Sequence, residues 1–173
     1  MMATPDTTDW QPGMEAKATE SIRGWPPTEL EITYHNFESE SNRAHIDKII
    51  KQYSWLFPSW LRELKVGIYD THDDHPEDTI AWSTGRPEYG SSTINVMSTW
   101  LDRPLRQQHS FVLHEILHIA HRREYNFVWD RLLNPLQNRN EELHTVLVED
   151  FRERNEEFIE GLTRAILAQN KEW

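Results

Sequence analysis

The chain is expected to fold as an α+β domain, with a small mixed sheet of three or four strands packed on helices. Three observations predict this. First, the apolar pattern runs as one alternating stretch, one helical stretch, three more strand-like pieces and then helices alone. Second, Phe111 to Ala120 is apolar except for His114, Glu115 and His118, the signature of a packed helix with one polar stripe. Third, Leu143, Val146, Leu147, Phe151, Phe158, Ile159, Leu162 and Ile166 keep near-helical spacing through the C-terminal part.

The elements follow in order. Residues 1–29 carry Pro5, Pro12, Gly13, Gly24, Pro26 and Pro27 with little periodicity. They predict an irregular or disordered arm, leaving 30–173 as a single domain. Leu30–Phe37 alternates through Leu30, Ile32 and Tyr34 like a strand. Ser41-Asn42 is positioned to cap a helix reaching about Tyr53, anchored by Ala44, Ile46, Ile49 and Ile50. Beyond Pro58, strands are expected over Leu64–Tyr69, Thr79–Ser83 and Ser92–Met97. The turn-rich Thr84–Ser91, with Gly85, Pro87 and Gly90, separates the last two. Asp70–Asp78 is rich in Asp and His but lacks the central Gly and closing Glu of a calcium loop. It reads as a solvated acidic turn. The motif helix should start near Pro104 or Leu105, capped by Asp102, and run to about Arg123. A shorter helix, Phe127–Leu133, should end before Pro135. A long one should open at Asn140-Glu141-Glu142 and reach about Ala168. Trp55, Trp60, Trp82 and Trp100 are expected in the core.

Composition narrows the classes. A length of 173 residues suits one domain with a sizeable core. The formal net charge of -11 argues against nonspecific nucleic-acid binding, which requires a basic surface. No apolar run approaches a bilayer span, and Met1 to Trp10 lacks a basic region followed by an apolar stretch. A cytoplasmic chain without membrane partners is therefore expected. With no Cys, disulfides and thiolate zinc sites are excluded.

The chemistry concentrates in His114-Glu115-Ile116-Leu117-His118. Two histidines four apart share one helical face, so both imidazoles reach one Zn²⁺. The intervening glutamate can take a proton from a water beside the metal. On a helical wheel, Val112, Leu113, Ile116, Leu117, Ile119 and Ala120 fill one sector, with His114, His118 and His121 opposite. His121 lies about 10 Å along the axis from His114, too far for a third bond from one straight helix. It reads as an outer or surface histidine.

This arrangement resembles the zincin metallopeptidases, specifically the minimal gluzincins, in which the third zinc ligand is a Glu on a later helix. It is also similar to small phage-encoded zincin-like proteins, which pair an HELLH-type helix with a downstream Glu-Glu followed by apolar residues. Here that second element is Asn155-Glu156-Glu157-Phe158-Ile159-Glu160, and the resemblance covers roughly residues 60–168. It implies zinc as cofactor, His114 and His118 as ligands, Glu115 as catalytic base and a peptide or protein substrate. Glu156 is the implied third ligand, because Glu156-x-x-x-Glu160 reproduces the family spacing with Glu in place of Asp. Glu157 and Glu149 are the main alternatives, followed by Glu153, Glu141 and Glu142. Glu160 would accept a hydrogen bond from a ligand histidine. Ser92–Met97 would be the edge strand that pairs with substrate, and Tyr125, His121 or His144 would stabilise the oxyanion. The implied activity is zinc-dependent peptide hydrolysis. The alternative is a noncatalytic module of the same fold that keeps its metal for binding or assembly.

Overall fold

The computed structural model describes residues 30–70 and 79–169. The expectations for the 1–29 arm and for 71–78 of the acidic stretch lie outside the described residues. Strand β1 (Glu31–His35) leads into helix α1 (Glu40–Gln52), then β2 (Glu63–Tyr69), β3 (Ala81–Arg86) and β4 (Ser91–Met97). Helices α2 (Leu105–Ala120), α3 (Arg122–Val128), α4 (Asn134–Gln137) and α5 (Glu141–Gln169) follow. The result is an α+β arrangement around one mixed four-stranded sheet, ordered β1-β2-β4-β3. The β1, β2 and β4 strands are parallel, and β3 pairs antiparallel with β4.

The core forms where the sheet meets α1 and α2. Leu64 and Val66 of β2 and Ile94 and Val96 of β4 are fully buried, as are Ile46 and Ile50 of α1 and Val112, Leu113 and Ile116 of α2. Period-two burial along β4 meets the helical stripes of α1 and α2 at this face. Burying a branched aliphatic side chain contributes about 1.5–3 kcal/mol, so this layer holds α2 rigidly against the sheet. Along α5, Ile159, Thr163 and Leu167 are buried at four-residue spacing, which lays one face of the long helix on the same core.

Several expectations are corrected. The cap of α1 is Ser39, whose hydroxyl accepts from the Ser41 amide at 3.2 Å. The extended backbone at Ser39 aims that hydroxyl into the first turn, so the helix starts before Ser41-Asn42. Asp102 does not cap α2, which has no side-chain cap. Instead Gln108 donates to the carbonyls of Leu101 at 3.0 Å and Arg103 at 2.7 Å, tying the preceding turn to the helix. Trp100 is fully buried and donates to the Gln108 carbonyl at 3.1 Å, and Trp60 is buried too. Trp82 is half-buried, whereas Trp55 is 54% exposed on a short helical turn whose neighbours Tyr53 and Phe57 take the core positions.

Strand β3 runs further than Thr79–Ser83, because a tight turn with Gly90 at φ 67° carries pairing on to Arg86↔Ser91. That hairpin also corrects the edge assignment. Segment Ser92–Met97 lies inside the sheet between β2 and β3, and among the described residues β3 is an outer strand, the one that faces α2. The motif helix does not reach Arg123. It stops at Ala120, and the chain turns at His121 before α3 begins. The helix expected over Phe127–Leu133 divides between the end of α3 and a π-helical turn, Trp129–Leu133. Pro135 sits in the first turn of α4, where a missing N–H costs little. Helix α5 opens where expected, and Asn140 caps it by accepting from the Leu143 amide at 3.0 Å. No helix among the described residues is long and apolar enough to cross a membrane.

Two stability measurements follow from this packing. Gly161 lies inside α5 with nothing within 4 Å of where a Cβ would stand. Gly161→Ala is expected to stabilise the protein by about 0.5–1 kcal/mol, read from the urea midpoint; an unchanged or lower midpoint contradicts it. His109 is buried, bonded to the Tyr53 hydroxyl at 3.1 Å, and burial, then the charges of His45 and Lys48, pull its pKa down to about 4. The unfolded chain takes this proton from about pH 6.5 downward while the folded chain refuses it. Stability should therefore fall between pH 6.5 and pH 4, by up to about 2 kcal/mol at pH 5. Denaturant melts of His109→Gln should lose less over that range; an identical pH profile would remove His109 as the cause.

Candidate metal centre

The site begins with α2. Its apolar sector is committed to the core, so the one turn between His114 and His118 leaves both imidazoles on the opposite, half-buried side. Their Nε2 atoms lie 3.0 Å apart. Helix α5 packs against α2 and presents Glu156, whose Oε2 stands 3.3 Å from each of these nitrogens. Two nitrogens and one carboxylate oxygen thus form a nearly equilateral triangle, and together they could hold a metal ion. A tetrahedral zinc with bonds of about 2.0–2.1 Å separates its ligand atoms by about 3.3–3.4 Å. The donor chemistry fits as well, since imidazole and carboxylate both suit zinc.

Charge is distributed accordingly. The hydrogen bonds from His114 and His118 hold the Glu156 pKa down at about 2, against the effect of partial burial. Burial opposes the charged form of His114, but the Glu156 hydrogen bond and the carboxylates of Glu115, Glu156 and Glu160 outweigh it and raise its pKa. Glu115 is 7% exposed, and burial pushes its pKa up against the pull of the Ser83 hydroxyl, His118 and His114. An isolated buried carboxylate is expensive. Here it lies beside two histidines and at the wall of a cleft.

That cleft, of about 400 Å³, runs between β3 and the helices. Ala81, Trp82 and Ser83 of β3 form one side. His114, Glu115, His118, His121, Arg122 and Tyr125 form the floor, and Asn155 and Glu156 of α5 form the other side. The structure brings together His114, Glu115, His118 and Glu156 as expected from the sequence. Glu157, Glu149, Glu153, Glu141 and Glu142 are exposed, and none joins the group among the described residues. Glu160 pairs with Arg164 at 3.3 Å, so its observed partner is an exposed arginine one turn on and not a ligand histidine. His121 and Tyr125 line the cleft, whereas His144 does not. The His144 Nε2 is buried with no partner among the described residues, and the ring of His121 meets Phe158 edge-on at 5.2 Å.

Sequence reasoning missed Ser83, Trp82, Asn155 and Arg122 as cleft residues. Ser83 lies on a polar edge strand whose faces carry no clear hydrophobic contrast, and its Oγ donates to the Glu115 carbonyl at 3.4 Å. Arg122 enters the cleft only because α2 breaks at His121, which a continuous helical wheel hides. Asn155 had a readable signal, being next to Glu156 on the same helix. Comparisons with protein-family models, curated proteins and solved structures return no match.

Glu156→Gln should weaken zinc binding by more than the 10–100-fold typical of losing a partner outside the ligand set, measured by competition with a chelating dye. Glu157→Gln and Glu149→Gln should bind as the parent does. Equal affinity for Glu156→Gln and the parent would sink the three-ligand centre.

Proposed function

We propose that this chain is a zinc-dependent metallopeptidase of the zincin type, with its reaction centre in the cleft between β3 and α2. The observation carrying the proposal is the convergence of His114, His118 and Glu156 on one point, with the buried carboxyl of Glu115 beside it. A zinc ion held there supplies a Lewis acid for a carbonyl and lowers the pKa of a water toward neutrality. His114, His118 and Glu156 would hold the ion through two nitrogens and one oxygen.

The chain's own groups supply the remaining requirements. Glu115 accepts the proton of the attacking water. Burial raises its pKa, which strengthens it as a base and lets it hold the proton until the leaving nitrogen takes it. Tyr125 and His121 line the cleft as donors suited to the oxygen that gains charge. Among the described residues no strand pairs with the outer side of β3, whose backbone groups suit an extended peptide adding as a further strand beside the ligands. A peptide or protein substrate matches that edge, and the net charge of -11 disfavours a nucleic acid.

The same edge also suits the noncatalytic reading, in which the metal-loaded domain holds a peptide without cutting it. One substitution separates the two. Glu115→Gln should retain stoichiometric zinc while losing about 10²–10⁴-fold in kcat/KM on unstructured peptide substrates. Retained zinc with unchanged hydrolysis would overturn the role of Glu115. A parent protein that binds zinc and peptide but cuts none of a diverse peptide library would favour the binding module.

A further inference from the structure

Arg122 is a cation in the cleft that the proposed chemistry leaves unused. It is the first residue of α3, just after the break at His121, and its side chain turns back toward β3. A Cβ added at Gly85 would stand 2.9 Å from the Arg122 Cγ and 3.5 Å from its Cβ and Cδ. The aliphatic stem therefore lies directly on the strand backbone, in a niche that only glycine leaves open. On its other side the guanidinium Cζ stands 5.4 Å from the centroid of the Tyr125 ring. The side chain thus lies between β3 and a ring one turn along its own helix.

Among the described residues its side chain forms no hydrogen bond or ion pair. The Nε is buried with no acceptor, and among the described residues Arg122 forms no ion pair with Glu115 or Glu156. A guanidinium offers five N–H donors in a fork that matches a carboxylate. Holding it in the wall of the cleft, unpaired with either carboxylate that lines the same space, leaves that fork open to whatever enters.

Position along β3 says where such a group would come from. Ser83 and Gly85 are two residues apart and share one face of the strand, about 7 Å from each other. Ser83 contacts Glu115 and Gly85 contacts Arg122. We propose that Arg122 is a specificity-determining residue that pairs with a carboxylate of a peptide lying along β3, one or two residues from the bond at the metal centre. This rests on the peptide-binding reading of the cleft. The carboxylate comes from an Asp or Glu side chain or from the peptide's own C-terminus.

The test measures binding, so it stands apart from hydrolysis. Four fluorescein-labelled octapeptides of Ala, Leu, Phe and Ser differ only in a central Glu or Gln and a C-terminal acid or amide. Their affinities for zinc-loaded Glu115→Gln protein are read by anisotropy. At least one carboxylate should tighten binding about tenfold or more, Glu over Gln marking the side chain and acid over amide marking the terminus. Adding Arg122→Met, which keeps the stem but not the charge, should bring that ratio to about one. Arg122→Lys should keep a reduced preference, a result that a purely packing role would not give. Equal binding of all four peptides, no binding of any, or a preference that survives Arg122→Met overturns the proposal. Should the parent cut no peptide yet show the Arg122-dependent preference, the hydrolase reading fails and this one stands.

Discussion

The packing of α5 across α2 is the constraint on which the site depends. It places a carboxylate oxygen 3.3 Å from two imidazole nitrogens that are themselves only 3.0 Å apart. Neither helix has a functional centre alone. Helix α2 supplies two donors and a buried acid, and α5 supplies the third donor from a residue remote in sequence. The contact is held by Ile159, Thr163 and Leu167, whose burial locks the rotation of α5 about its own axis. A rotation of one residue position, about 100°, would replace Glu156 with Asn155 or Glu157. The apolar stripe of α5 is therefore what selects the third member of the group.

The sheet does parallel work on the opposite side. The crossover through α1 makes β1 and β2 parallel, and the hairpin brings β4 back parallel to β2 while leaving β3 outside. Its outer edge then lies beside α2, which converts a flat helix surface into a cleft. The break at His121 completes the floor by folding α3 back so that Arg122 and Tyr125 face the same space. Sheet edge, helix break and crossing helix each contribute one wall, and buried Glu115 lies where they meet.

Much of this was legible in the sequence. The pairing of His114 with His118 and the place of Glu115 beside them follow from helical periodicity within five residues, and tertiary structure has little freedom to alter them. Glu156 was legible through a family likeness and through sharing a helical face with Ile159, while a helix rich in glutamate offers many candidates of equal chemistry. What singles it out is its orientation relative to Ile159, a neighbour one turn away. The edge strand was misplaced for a physical reason. Strand order in a sheet is decided by crossovers and hairpins, and the apolar alternation of β4 fits an interior strand as well as an edge. Ser39, the end of α2 at Ala120 and the exposure of Trp55 were hidden similarly, since each depends on a local backbone angle or on which neighbour claims the core.

The central claim is that His114, His118 and Glu156 together hold one zinc ion with a position open to water. Zinc K-edge X-ray absorption on the zinc-loaded protein tests it most directly. The account predicts four nitrogen or oxygen neighbours at about 2.0–2.1 Å, with outer-shell scattering from two imidazoles. A six-coordinate hydrated ion, or a single-imidazole signal, would contradict it.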